Sequence, residues 1–220
     1  MEAGGTIAND QPGAEARTGR LVLVLLGIWL LTAVAVGVSG AFQRVPAQMV
    51  GLTNAVLIAL CLVGLYAVPS LRAWVTSTSL RPLVLFHVVR FVGIVFLVLH
   101  AAGEIPGEFA IKAGWGDIAI AVTAPIVAYA ALPVSSQKRW TAALAWNVFG
   151  LAEIIIVLGT GNRLGFANYE QMAWITEFPL SLLPTFLVPL IVVTHLVMIQ
   201  RLRKMLKDPD GLFLGDQAAA

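Results

Sequence analysis

Charged residues are scarce in this sequence. Asp, Glu, Lys and Arg make up 12% of the 220 residues, whereas 59% are hydrophobic and the mean hydropathy is +0.87. Soluble domains carry about 25% charged residues, so an ordinary soluble domain is excluded and an integral membrane protein is predicted. The net charge is only +2 and the basic residues lie at the edges of apolar runs, which argues against nucleic-acid binding.

Cysteine and the common catalytic motifs are nearly absent as well. Cys61 is the single cysteine and lies inside an apolar run, which excludes a disulfide framework, a CxxC pair and a thiolate metal cluster. The sequence has no GxSxG elbow, Walker loop, GxGxxG fingerprint or HExxH pair. These absences disfavour nucleophilic hydrolysis and direct ATP or NAD coupling. They identify no catalytic residue and leave open whether the protein is an enzyme.

What the sequence does contain is a series of long apolar runs. A helix needs about 20 predominantly apolar residues to cross the hydrocarbon, and six stretches meet or approach that length: 21–42, 49–68, 82–102, 117–134, 140–159 and 179–200. The alternation typical of a membrane barrel is absent from them. We therefore predict an all-α integral membrane protein, a bundle of six transmembrane helices within residues 20–203. The polar tails, 1–19 and 204–220, are predicted to be disordered and cytoplasmic.

Basic residues predict the orientation, because Lys and Arg are enriched on the cytoplasmic side. Ten flank one side of the runs and three flank the other. The ten are Arg17, Arg20, Arg72, Arg81, Lys138, Arg139, Arg201, Arg203, Lys204 and Lys207. Both termini should then be cytoplasmic. The pattern resembles that of small six-span bacterial inner-membrane proteins, so a multi-pass location in such a membrane is expected.

Polar side chains at membrane depth are the most informative positions, because ionisable groups in hydrocarbon usually face the bundle interior or a cavity. Counting about 1.5 Å per residue from the ends of the spans places five of them in one inner group. They are His87, Arg90, Asn147, Glu153 and His195. We predict that these five residues form a ligand-binding site.

Arg90 and Glu153 allow two interpretations. In the first, they form a structural ion pair that pins the third and fifth spans together, with the long arginine side chain covering the difference in depth. In the second, Arg90 anchors an anion or carboxylate through its planar guanidinium, and Glu153 takes up and releases a proton. The sequence does not choose between them.

His87 and His195 raise a cofactor hypothesis. A low-spin b-type haem needs two histidines on different spans at the same depth, and these two satisfy that condition. Haem b is therefore an alternative to the simpler interpretation, in which each histidine is a hydrogen-bonded packing residue. No sequence pattern specific to a metal site is present.

The stretch GEIPGEFAIKAGWGD, residues 103–117, separates the third and fourth runs. It is too long for a minimal turn and contains an apolar patch, so we predict a short interfacial or re-entrant segment with Glu108 and Lys112 as an i,i+4 pair. Asp117 is expected to cap the N-terminus of the fourth helix. The functional alternative makes Asp117, with His100 and Glu104, an outer entrance for a cation, a proton or a polar headgroup.

Three classes of function remain. The leading hypothesis is the binding or transport of a small amphipathic or anionic molecule, with or without proton coupling. The second is an intramembrane haem or redox protein. The third is an accessory or assembly subunit in which the buried charges only fix packing. Prolines 184 and 189 predict a bent or locally unwound sixth span, as in helices that line transporter sites. The expected partners are the lipid bilayer and either a small ligand or another subunit.

Overall fold

The structure, a computed structural model, describes residues 11–167 and 170–207, and most of these residues are helical. The eight α-helices are α1 Gln11–Val38, α2 Ala47–Ala67, α3 Pro69–Ser77, α4 Leu80–Phe86, α5 Gly93–Ala101, α6 Gly107–Ala130, α7 Gln137–Ala167 and α8 Val188–Lys207. Short 3₁₀ segments cover Phe42–Arg44, His87–Val92 and Glu170–Thr176, and a π-helical turn covers Leu183–Leu187. The predicted all-α class is confirmed.

Six helical segments in the described part of the chain are long and apolar enough to cross a membrane. They are Gly13–Val38, Met49–Ala67, Leu80–Ala101, Gly107–Ala130, Gln137–Ala167 and Leu183–Met205. They match the six apolar runs in number and order, so the predicted number of spans is confirmed by helix length and composition. The third span joins α4, the His87–Val92 segment and α5, and the sixth joins the π turn to α8.

The spans differ greatly in how much they are buried. In the sixth span 61% of the most apolar window is buried, whereas in α1 and α2 the share is 11%. The sixth span therefore lies at the centre of the bundle, and α1 and α2 lie at its periphery. The outward side chains of α1 are large and apolar, as expected where a helix meets lipid.

The interior consists of two apolar clusters. One lies where α4 begins and α8 ends, which we call the basic end because Arg81, Arg139 and Arg201 are there. Its larger members are Leu80, Val84, Ile120, Trp140, Met198 and Leu202. The second cluster lies towards the opposite end, with Phe96, Ile105, Phe109, Ile154, Met172, Leu183 and Ile191. A group of buried polar residues lies between the two clusters: His87, Arg90, Asp117, Asn147, Glu153 and His195.

The stretch 103–117 differs from its prediction. Helix α6 begins at Gly107, after Pro106, so residues 107–116 belong to the fourth span and no interfacial or re-entrant segment separates the spans. Asp117 lies well inside this helix and does not cap it. The reason is packing: buried small residues recur with helical spacing on one face of α6, which allows a close approach to its neighbours. They are Ala110, Ala113, Gly114, Ala121, Ala124 and Ala128.

The pair at the start of α6 is confirmed. Lys112 Nζ donates to Glu108 Oε1 at 3.1 Å, and Arg163 Nη2 of α7 lies 2.5 Å from the same oxygen. All three side chains are about half exposed. Exposed pairs contribute little stability, so this network belongs to the rim of the bundle.

The predicted tails are also shorter than expected. Helix α1 begins at Gln11 and α8 extends to Lys207, so residues 11–19 and 204–207 are helical. Residues such as Glu15, Ala16 and Arg17 are good helix formers, and they extend the first span beyond its apolar part. The rest of the two tails, 1–10 and 208–220, lies outside the described residues.

The predicted bend in the sixth span is confirmed as the π turn at Leu183–Leu187. Pro189 has no N–H, so the Thr185 carbonyl loses the donor that a regular helix would supply. In the π turn Val188 N–H bonds the Leu183 carbonyl and not that of Pro184. Trp29 Nε1 of α1 donates to the Thr185 carbonyl at 2.9 Å, and Asn54 Nδ2 of α2 donates to the Pro184 carbonyl at 3.4 Å. These bonds attach the peripheral helices to the central span.

The third span approaches α6 closely at Gly93. A Cβ atom at Gly93 would lie 2.6 Å from the carbonyl oxygen of Gly114 and 2.7 Å from Cβ of Asp117. Backbone cannot yield as a flexible side chain can, so only glycine allows this distance. The contact sets how near Asp117 comes to the third span.

We predict that Gly93→Ala lowers the free energy of unfolding by about 1–3 kcal/mol, the usual cost of overpacking. Gly64→Ala in α2 is the control, because a Cβ placed there has nothing within 4 Å beyond the adjacent backbone of its own helix, and alanine favours helix. Thermal unfolding in mild detergent, followed by circular dichroism, checks both. Equal melting temperatures for the two variants would contradict the close approach.

Candidate functional site

The site begins with a change of helix type in the third span. Residues His87–Val92 form a 3₁₀ segment between α4 and α5, and in a 3₁₀-helix residues i and i+3 eclipse each other. His87 and Arg90 therefore project to the same side, whereas a regular α-helix would rotate them about 60° apart. Both residues are 0% exposed.

Arg90 is bound by three groups from two other spans. Its Nε lies 2.5 Å from Asp117 Oδ1 of α6, and its Nη2 bonds Glu153 Oε2 of α7. Its Nη1 donates to the carbonyl oxygen of Gly150, at 3.3 Å. We call Arg90, Asp117 and Glu153 the ionic triad. It joins the third, fourth and fifth spans in the middle of the bundle.

Because the triad is buried, any excess of negative over positive charge in it is energetically costly. Asp117 is 5% exposed and Glu153 is 9% exposed, and buried ions are tolerated only when paired and hydrogen-bonded. Among residues 11–167 and 170–207, no partner reaches Glu153 Oε1. One guanidinium thus faces two carboxyl groups, and the fully buried oxygen Oε1 of Glu153 has no hydrogen bond in the described residues.

A pair of histidines lies beside the triad, towards the basic end. The rings of His87 and His195 have centroids 4.0 Å apart and planes tilted by 32°. Asn147 Oδ1 is 3.1 Å from His195 Nδ1, and Thr194 Oγ1 is 3.3 Å from His87 Nε2. The other ring nitrogens, Nδ1 of His87 and Nε2 of His195, have no partner in the described residues.

Gly150 connects the histidines to the triad. A Cβ atom there would lie 2.5 Å from Cε1 and 2.7 Å from Nε2 of His195, so the His195 ring occupies the space that the missing side chain leaves. The carbonyl of the same residue accepts from Arg90. Trp146 covers both imidazoles, with centroids 5.4 Å from His87 and 5.6 Å from His195. The result is a continuous polar column.

The histidine pair does not fit haem b. A haem held by two axial histidines lies between their rings, with a metal–nitrogen bond on each face of the macrocycle. The His87 and His195 rings are in direct contact instead, and Trp146 packs against both. No macrocycle can lie between them in this arrangement. The residues of the described chain also contain no group of three or more His, Cys, Asp or Glu able to hold a metal ion.

A cavity of about 100 Å³ extends from the triad towards the opposite end. Asp117 forms part of its wall. Among the lining residues of the described chain, Asn54 and Asn162 are the only other polar side chains, and the rest are apolar or glycine. The apolar wall includes Val92, Phe96, Phe109, Ile154, Val157, Met172, Leu183, Val188 and Ile191. The least buried lining residues, among them Gly51 and Asn162, lie at the ends of α2 and α7. The cavity therefore opens near the opposite end.

The structure brings together the five residues predicted as a binding site, since Arg90, Glu153, Asn147, His87 and His195 all belong to the polar column. The predicted outer entrance is divided. Asp117 joins Arg90 in the interior because α6 begins early. His100 and Glu104 stay near the opposite end, with His100 Nδ1 3.2 Å from the Ile105 carbonyl oxygen and Glu104 exposed.

The pairing of Asp117 with Arg90 is the main feature that sequence reasoning missed. Its signal was present: Ala110, Ala113 and Gly114 precede Asp117 at helical spacing, which predicts a tightly packed helix through this position. Trp146 and Thr194 were missed as partners of the histidines. No local pattern identifies them, because their contacts join different spans.

The six apolar spans around a buried ionic triad indicate a multi-pass helical membrane protein. The chain belongs to the DUF8737 family, described as "Domain of unknown function (DUF8737)", whose model matches residues 47–203. The match covers the second to sixth spans and includes the triad, the histidine pair and the cavity lining. No curated protein and no solved structure matches the chain.

We predict that Arg90→Met lowers the free energy of unfolding by about 3–5 kcal/mol, because it leaves the buried side chains of Asp117 and Glu153 without their shared partner. Glu153→Gln should cost about 1 kcal/mol, since the amide oxygen still accepts from Arg90 and one negative charge is removed. Chemical or thermal unfolding in detergent measures both.

Arg163→Met is the matched control for this prediction. Arg163 also pairs with a glutamate, but its side chain is 58% exposed, so the loss should stay below about 1 kcal/mol. If Arg90→Met and Arg163→Met destabilise the protein equally, the buried triad is not the stabilising element.

Proposed function

We propose that the protein binds a small amphipathic molecule in the cavity, with its apolar part against the cavity wall and its polar end at Asp117. One observation carries this proposal: a largely apolar cavity has in its wall a buried carboxylate that belongs to the ionic triad. Binding sites for small molecules are typically apolar hollows with a few convergent polar groups. In this proposal the cavity binds the apolar part of the ligand and the triad binds its polar end.

The size of the cavity supports a small ligand. Its volume of about 100 Å³ is comparable to the ~150 Å³ apolar cavity that holds benzene in an engineered protein. Phe96, Phe109 and Met172 form part of the wall, and aromatic and thioether groups adapt to apolar ligands. A short hydrocarbon chain or a single ring fits this description.

The position of the mouth supports entry at the opposite end. Gly51 of α2 and Asn162 of α7 are in contact there, and both line the cavity. Helix α2 is among the least buried spans, so it can move away from α7 at a lower cost than a central helix can. An amphipathic molecule that partitions into the bilayer would approach from this side.

An anionic ligand is not favoured by the contacts of Arg90. The guanidinium directs Nε to Asp117, Nη2 to Glu153 and Nη1 to the Gly150 carbonyl. An anion at Asp117 would meet a carboxylate before it met the arginine, and like charges at short range repel. The amphipathic form of the binding hypothesis is therefore the one we propose.

Transport stays a separate prediction from binding. Between the triad and the basic end, His87, His195 and Trp146 pack ring against ring. A ligand could cross the bundle only if this layer moved. The role of accessory or assembly subunit likewise stays a prediction.

We predict that Ile154→Phe reduces ligand binding about tenfold or more, because the larger side chain occupies a cavity that Ile154 lines. The probes are hexan-1-ol, hexylamine and hexanoate, which share one chain and differ in the polar end. Binding is measured by equilibrium dialysis against lipid nanodiscs that contain the protein, after subtraction of empty nanodiscs.

Ile155→Phe is the matched control, because it makes the same change at the next residue of α7, where the side chain is 56% exposed. This variant should bind the probes as the unmodified protein does. The proposal fails if no probe binds the unmodified protein better than it binds Ile154→Phe.

A further inference from the structure

We propose that the polar end of the ligand is a cation, of the class of protonated alkyl- or arylamines, and that it exchanges with one proton at the ionic triad. This inference rests on the proposed function, since it assigns a chemical class to the molecule in the same cavity. Asp117 is the contact residue, and Arg90 and Glu153 set the charge that the cation meets.

The first argument is the charge of the triad. With both carboxylates ionised, Asp117 and Glu153 oppose the single charge of Arg90, and the triad has a net charge of −1. An uncompensated charge is costly in an interior that is poor in water. A cation or a proton removes that cost, whereas an anion doubles it.

The second argument is that no neighbouring group supplies the missing positive charge. The titratable side chains that face the triad from the third and sixth spans are His87 and His195. An imidazolium has two N–H groups that need acceptors, but each of these buried rings has one nitrogen without a partner in the described residues. Both rings therefore fit the neutral form. Lys112 and Arg163 are engaged with Glu108 at the rim.

The third argument is an unused acceptor inside the cluster. Glu153 is nine-tenths buried and its Oε1 has no hydrogen-bond partner in the described residues. A buried anionic oxygen without a donor is costly, and a proton on this carboxyl group removes the excess charge and leaves a neutral group that costs less to bury. Glu153 is thus the group that holds the exchangeable proton when the cavity contains no cation.

The fourth argument is access. Asp117 belongs to the cavity wall, whereas Glu153 and Arg90 do not line it. A ligand cation would contact Asp117 directly and would stabilise the ionised form of Glu153 through the shared Arg90. Cation binding and protonation of Glu153 are then linked, and each opposes the other.

The experiment compares the three hexyl probes in nanodiscs at constant pH and then repeats the amine titration by calorimetry in two buffers of different ionisation enthalpy. We expect hexylamine to bind about tenfold more tightly than hexan-1-ol, with hexanoate the weakest. The difference in heat between the buffers should correspond to the release of up to one proton for each bound amine.

Two variants test whether the preference for the amine and the proton release arise at the triad. Glu153→Gln removes the exchangeable proton and one negative charge, so the ratio of amine to alcohol affinity should fall to about one and the proton release should disappear. Asp117→Asn should also lower the ratio of amine to alcohol affinity, and it tests the inference independently if Glu153→Gln folds poorly. The control is Glu108→Gln, the same chemical change at the exposed rim, which should leave the ratio unaltered.

The outcomes separate this inference from the function on which it rests. If hexan-1-ol binds in the cavity as tightly as hexylamine, the cation assignment is wrong and amphipathic binding survives. If hexanoate binds most tightly, Arg90 acts as an anion anchor and the inference is wrong. If no probe binds more tightly than it does to Ile154→Phe, both proposals are wrong.

Discussion

The burial of the Arg90 guanidinium is the constraint on which the rest of the structure depends. A fully buried guanidinium requires acceptors on several sides, and here they come from Asp117, Glu153 and the Gly150 carbonyl. To deliver them, two other spans must approach the third very closely. The small-residue face of α6 and the contact at Gly93 provide that approach, so the packing of three helices follows from the needs of one side chain.

The same interaction divides the interior into functional layers. The apolar cluster at the basic end closes the bundle, the histidine pair and Trp146 form a packed polar layer, and the triad follows. Beyond the triad, the second apolar cluster contains the cavity. A ligand in the cavity therefore meets charge only at its inner end. This order is what favours an amphipathic molecule over a wholly polar one.

Helix α1 lies outside the residues that the family model matches, yet it contributes to the central span. Trp29 supplies a donor to the Thr185 carbonyl, which Pro189 leaves without a backbone partner. Asn54 performs the same task for Pro184 and also lines the cavity. Opening of the cavity at α2 and the state of the π turn are thus physically connected.

By itself, the sequence determined the class of the protein, the number of spans, the equal depth of the two histidines and the inner group that they share with Arg90 and Glu153, because hydropathy and helical rise are local properties. Only the tertiary structure decided that α6 begins at Gly107 and brings Asp117 to Arg90. It also decided that His87 and Arg90 eclipse each other in a 3₁₀ segment and that the histidine rings touch and leave no room for haem. These features depend on which helix faces meet, and the pattern of one helix does not contain the face of its neighbour.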